Sequence, residues 1–148
     1  MKKILLVLSI LSWLTNGRSL AQATFTYTLD DTIKNAAPGA MISLENSIIN
    51  STLGIITIDA VRTVDVMPDV PTWTTMFCLD VCYPPFVDSV RFDLPADSIQ
   101  SFVFDFTTDA TPDSGTAVMK IKNVAVPSNT VIQKFYGITN GLAVNESE

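Results

Sequence analysis

Along most of this chain apolar and polar residues alternate with a period of two, the spacing that sends successive side chains to opposite faces of a β-strand. Thr24 to Leu29 alternates hydroxyl and apolar residues, as a half-buried strand does. From Ser101 to Thr107 the three phenylalanines Phe102, Phe104 and Phe106 share one face, with Ser101, Val103 and Asp105 on the other. Val90, Phe92 and Leu94 alternate with Arg91 and Asp93, and Ala117, Met119 and Ile121 alternate with Val118, Lys120 and Lys122. Gly54 to Val66 is a longer run rich in β-branched residues; Met41 to Leu44 and Val131 to Ile138 complete seven predicted strands.

The separators are turn chemistry. Ala37-Pro38-Gly39, Pro68-Asp69, Pro95-Ala96-Asp97, Pro112-Asp113-Ser114-Gly115 and Pro127-Ser128-Asn129 carry residues that pre-set or permit turn dihedrals. No window of a dozen residues holds a helical apolar period, and Asp31 to Ala37 has room for a short turn at most. Short strands at this spacing without intervening helices predict an all-β sandwich or barrel.

The first residues depart from this pattern. Lys2 and Lys3 precede an apolar stretch, Ile4 to Leu14, too short for a permanent membrane span, and Ala21-Gln22-Ala23 has the small-spacer-small form cut by signal peptidase. The reading is a signal peptide over residues 1–23, a single domain over 24–141 and a polar tail over 142–148. Export to the periplasm or the outer cell surface follows. No cysteine stands at the junction to receive a lipid, and no later segment has the length and apolarity of a transmembrane span.

Charge then narrows the partners. Three of the nine basic residues (Lys2, Lys3 and Arg18) lie in the leader, so six face all fifteen acids in the mature chain, a net charge of −9. Such a balance repels phosphate backbones and anionic headgroups, which excludes nucleic acid and membrane surfaces as expected partners. Histidine is absent. Without imidazole no Ser-His-Asp or Cys-His triad can form, and zinc catalysis loses its usual ligand. The expectation is a non-enzymatic protein with no catalytic residues, no cofactor and no metal.

Cys78 and Cys82 are the two cysteines, separated by Leu79-Asp80-Val81. In an exported chain their simplest reading is a disulfide. Closing so small a ring contributes only about 2 kcal/mol by loop entropy, so the bridge shapes a loop more than it stabilises the fold. A redox-active pair is the sharper alternative, but the spacing is not C-x-x-C and no helix start is predicted to lower a thiol pKa. Trp73, Met76, Phe77, Tyr83, Pro84 and Phe86 crowd around the pair. A rigid aromatic loop of this kind is a candidate anchor for a protein partner; the alternative is a plug over one end of the core with Trp73 inside.

Pro71-Thr72-Trp73, Phe77-Cys78 and Cys82-Tyr83-Pro84-Pro85, with Leu44-Glu45-Asn46 upstream and Ser114-Gly115-Thr116-Ala117-Val118 downstream, resemble secreted immunoglobulin-like domains of Bacteroidota envelope proteins. These are similar to hydin-type and major-sperm-protein-type sandwiches. The resemblance implies a seven-stranded immunoglobulin-like β-sandwich serving as a structural or binding module, and it carries over no catalytic residue. In that setting the chain is expected to be an accessory subunit of a cell-envelope or cell-surface assembly, with a secreted glycan- or small-ligand-binding sandwich as the alternative.

Twelve of the fifteen acids are aspartates, many at strand ends: Asp30, Asp31, Asp69, Asp97, Asp109 and Asp113. No D-x-[DN]-x-[DN]-G calcium loop is present, so turn formation is their expected role. Asp93 and Asp105 lie opposite the apolar faces of their strands, where two carboxylates within reach of each other would be the minimum for a glycosidase-like pair. Asp31-Thr32-Ile33, Asp88-Ser89-Val90 and Asp97-Ser98-Ile99 match a D-[ST]-apolar O-glycosylation signal described for exported Bacteroidota proteins, with Thr32, Ser89 and Ser98 as acceptors. Asn50-Ser51-Thr52 is an N-linked sequon.

Overall fold

A computed structural model describes residues 24–68 and 73–140; the expected signal peptide, residues 69–72 and the expected polar tail lie outside the described residues. The strands are β1 (Phe25–Thr28), β2 (Ile33–Ala36), β3 (Ile42–Asn50), β4 (Ile56–Val66), β5 (Thr74–Cys78), β6 (Cys82–Tyr83), β7 (Ser89–Leu94), β8 (Ser98–Thr107), β9 (Ser114–Asn123) and β10 (Thr130–Thr139). They form two five-stranded sheets, β1-β3-β8-β5-β6 and β2-β10-β9-β4-β7. This is an all-β immunoglobulin-like sandwich. The pairings are antiparallel except that of β2 with β10. The chain crosses from the first sheet to the second after β1: Asp31 N donates to Glu45 O on one side, and Tyr136 N donates to Thr32 O on the other.

The inward side chains follow the alternation. Phe102, Phe104 and Phe106 of β8 are fully buried, as are Leu44 and Ile48 of β3, Ile58 and Ala60 of β4, Met119 and Ile121 of β9 and Phe135 of β10. Phe104 and Phe135 stack across the two sheets at 4.7 Å between ring centroids. Phe135, Phe102, Phe77 and Tyr83 continue as a stacked aromatic row, with successive centroids 6.2, 6.2 and 5.2 Å apart. Aromatic rings bury large areas and gain further from such offset contacts, so this row anchors the β5–β6 end of the first sheet. Phe106 meets Phe104 edge-on at 5.4 Å, and Gly137 lies against Phe106: a Cβ there would stand 2.8 Å from its Cγ.

Ten strands replace the seven expected, and each addition has a physical reason. β2 is short, Lys- and Asn-containing and without a buried residue, so its sequence reads as a turn. β5 and β6 fall inside the stretch read as an aromatic loop; Phe77 and Thr75 are its core-facing residues. β3 runs on past the expected Leu44 to Asn50, an extension the apolar pattern hid because two of its inward positions are polar. Asn46 Nδ2 donates to Asp31 O at 3.1 Å, and Asn50 Nδ2 donates to Leu94 O and Pro95 O at 3.0 and 2.7 Å. Asn50 is fully buried, so the sequon it heads offers no accessible acceptor.

A loop held by a buried arginine

β4 is the element from which the site is built. Its residues Ile56 to Val61 pair with β7 on one side, and its register with β9 on the other slips between Arg62 and Val64. Ile56, Ile58, Ala60 and Arg62 face inward, so the alternation places a guanidinium between the sheets where β7 begins. The slip turns Val64 and Val66 outward, to 41 % and 61 % exposure, as a bulge does.

A buried guanidinium is tolerable only with its donors satisfied. Arg62 Nη1 donates to Thr75 O at 3.1 Å and Thr75 Oγ1 at 2.7 Å. Nε and Nη2 donate to Asp88 Oδ1 at 3.1 and 2.8 Å, and Nη2 also donates to Pro85 O and to Val87 O. Thr75 Oγ1 in turn donates to Asp65 Oδ1 at 2.9 Å. One side chain thus joins β4, the free edge of β5 and the segment between β6 and β7.

That segment is a tight turn. Val87 N donates to Pro84 O at 2.9 Å, with Pro85 and Phe86 at the two central positions. Pro85 supplies the fixed φ preferred at the first of them, and Phe86 keeps a negative φ, as in a type I turn. Arg62 binds the carbonyls on both sides of Phe86, whose own side chain is 84 % exposed. An aromatic ring is held out in solvent on a backbone clamped from beneath.

The expected contact set is divided by this geometry. Trp73 and Phe77 are buried, at 4 % and 0 % exposure, and are core residues rather than contacts. Trp73 Nε1 donates to Asp109 Oδ1 at 3.4 Å, which fixes the indole under the β8–β9 connection. Tyr83 is half-buried on Phe77, Met76 and Pro84 are half-buried, and Phe86 alone of the six is exposed. The core-plugging residues and the exposed one are therefore different residues. Burial of Trp73 also removes it as a stacking face for sugars. The Cys78–Cys82 disulfide is formed, between directly opposed residues of β5 and β6.

The remaining candidates fall elsewhere. Asp93 accepts a hydrogen bond from Thr57 Oγ1 at 2.7 Å on the outer face of the second sheet, whereas Asp105 lies on the outer face of the first. The two carboxylates are on opposite sides of the sandwich and form no pair. Ser89 is exposed, Thr32 and Ser98 are half-exposed, and Ser98 Oγ donates to Pro95 O at 2.7 Å. Among the described residues no three acidic or cysteine side chains gather as a metal site.

Charge is distributed unevenly between the faces. By register, Arg91, Lys120, Lys122 and Lys134 lie on the outer face of the second sheet, while Glu45 and Asp105 are the charged residues on the outer strand positions of the first. Arg91 Nε and Nη2 donate to Asp59 Oδ1 and Oδ2 at 2.6 and 2.9 Å, with Lys122 Nζ 3.6 Å away. The Arg91 hydrogen bonds, and then the charges of Arg91 and Lys122, hold the Asp59 carboxyl below the usual carboxylate range.

No protein-family model and no curated relative matches the chain. Solved structures do. The N-terminal domain of PorA superposes with a TM-score of 0.58 at 10 % identity, over 79 % of this chain and 98 % of that one. A family 123 glycoside hydrolase from Clostridium perfringens superposes with a TM-score of 0.53 at 8 % identity, over 80 % of this chain but 28 % of the hydrolase. A PapD-like domain of human CEP192 gives 0.48 at 8 % identity, over 85 % of this chain and 88 % of that domain. At these identities the first two likenesses establish the sandwich fold and nothing of its chemistry.

Proposed function

We propose that the chain is an exported, non-enzymatic interaction module, an accessory subunit of a cell-envelope or cell-surface assembly, and that it engages its protein partner through the Phe86 turn. The observation carrying this reading is the pairing of an 84 % exposed phenylalanine with a turn whose flanking carbonyls are both bound by a buried arginine. Exposed aromatics are costly to leave in water, and ordering a loop costs free energy on binding. A pre-ordered turn avoids the second cost, which suits an anchor residue. Tyr83 and Pro84, half-buried beside it, supply the rim, and exposed Val81 extends it beyond Cys82. The likeness to the PorA domain, nearly complete over that domain, supports a sandwich that functions as a unit. The leader supports export, and the absence of histidine supports a non-catalytic role. Thr32, Ser89 and Ser98 are proposed O-glycan acceptors, with Ser89 the most accessible.

The experiment is site-specific crosslinking. A photoreactive phenylalanine analogue at position 86, in natively expressed protein, is expected to join one envelope protein in a discrete adduct. The same analogue at Leu53, which is fully exposed in the β3–β4 connection, is expected to give none. Equal labelling at both positions, or none at 86, overturns the reading.

A further inference from the structure

The disulfide is asymmetric in a way that matters chemically. Cys82 is exposed, whereas Cys78 is 8 % exposed on the outward side of β5. Asp105 of β8 stands opposite Met76 of β5 and Ser43 of β3, 5 % exposed, with Oδ2 3.6 Å from Cys78 Sγ. Its Oδ1 has no hydrogen-bond partner among the described residues. Around it on this face β3 contributes Ser43 and Glu45 and β5 contributes Thr74, Met76 and the bridge, none of them basic; Lys34 Nζ is bonded instead to Ser43 O at 3.0 Å and to Asp31. A buried carboxylate left unpaired is expensive, and a sulfur in a disulfide has no proton to offer it. Among the described residues, the donor nearest to hand for Asp105 is Cys78 as a thiol, 3.6 Å from its Oδ2.

We propose that Cys78–Cys82 is a thiol–disulfide exchange site that takes up a thiol at Cys82, with Asp105 as the catalytic base that reseals it. In the uptake step an external thiolate attacks the accessible Sγ of Cys82. A sulfur–sulfur bond forms between the two, the Cys78–Cys82 bond breaks, and its electron pair remains on Cys78, which takes a proton. In the resealing step the Asp105 carboxylate removes that proton. The Cys78 thiolate then attacks Cys82 Sγ, and the external thiolate departs with the electron pair and recovers a proton. The cycle is balanced in atoms and electrons and needs only a thiol of low molecular weight or a cysteine side chain. Burial leaves the Cys78 sulfur out of reach of an incoming thiol, so Cys82 is the sulfur attacked.

The test uses the folded mature chain, reduced and then mixed with oxidised glutathione. Samples are quenched in acid at intervals, alkylated and mapped by mass spectrometry. Glutathione is expected on Cys82 and the alkyl group on Cys78, with the adduct persisting about tenfold longer or more in Asp105→Asn than in the parent. An adduct on Cys78, or no adduct in the folded parent, overturns the proposal, and neither result depends on a variant folding. An equal adduct lifetime in a folded Asp105→Asn removes the base.

Discussion

Nη2 of Arg62, buried between the sheets, lies 2.8 Å from the carboxylate of Asp88, whose side chain is 71 % exposed. The pair spans the boundary between interior and solvent, and the turn carrying Phe86 hangs from it. Its energetics are correspondingly lopsided. Replacing Arg62 with Met strands the carbonyl of Thr75 and loosens those of Pro85 and Val87, a loss of about 3 kcal/mol for unmade hydrogen bonds in a buried setting. Replacing Asp88 with Ala takes the acceptor from Nε and Nη2 of the buried guanidinium, a smaller loss of about 1–2 kcal/mol because the vacated site is open to water. Urea unfolding of the two variants checks the ratio, and amide exchange at Val87 is expected to accelerate in the first. Lysine at position 62 is no rescue, since one ammonium lacks the fork that reaches β5 and the turn together.

Removing the disulfide tests which device holds this end of the fold. The Cys78→Ala, Cys82→Ala double variant is expected to lose about 2 kcal/mol, the loop-entropy value of so small a ring, and to keep its sandwich. It is therefore less damaging than Arg62→Met. Thermal unfolding of both variants beside the parent gives the order directly.

Much of this architecture was open to a reader of the sequence, and the parts that were not share a cause. Seven strands followed from alternation because their inward residues are apolar, as Phe102, Phe104 and Phe106 illustrate. β5 and β6 were hidden because tryptophan, cysteine and proline read as loop chemistry. Arg62 was missed, although its place in the series Ile56, Ile58, Ala60 marked it as inward. The same parity carried past Arg62 points Val64 and Val66 inward, whereas they lie outside, because a one-residue slip leaves no trace in the pattern of hydrophobicity. The cluster of aromatics around the two cysteines was legible, but which of them point outward depended on the turn at Pro85-Phe86.

Tyr27 gives a pH-dependent prediction. Its ring meets Phe102 edge-on at 6.0 Å, and its hydroxyl is buried without a hydrogen-bond partner among the described residues. Burial, reinforced by the nearby Asp30 charge, pushes its phenol far above the usual value of about 10. Below pH 10 the folded and unfolded phenols are both neutral. Above it the unfolded chain releases a proton that the folded chain retains, so stability falls as pH rises. Tyr27→Phe is expected to match or slightly exceed the parent at pH 7 and to be clearly more stable at pH 11. Urea midpoints at the two values measure the crossover.

Gly137 tests the packing around Phe106. A methyl group there meets the Phe106 ring at 2.8 Å, so Gly137→Ala is expected to cost about 1–3 kcal/mol through overpacking. Gly54→Ala meets nothing within 4 Å and is expected to leave the melting temperature unchanged.

The central claim is that Phe86 is an anchor rather than a stray apolar residue, and partner retention measures it most directly. Tagged protein carrying Phe86→Ser or Leu53→Ser is purified from native cells in mild detergent, and the co-purifying envelope protein is quantified against the parent. Phe86→Ser is expected to keep the parental melting temperature and to lose about tenfold or more of the retained partner, as removal of a hot-spot aromatic does, while Leu53→Ser retains it in full. Full retention by Phe86→Ser contradicts the claim.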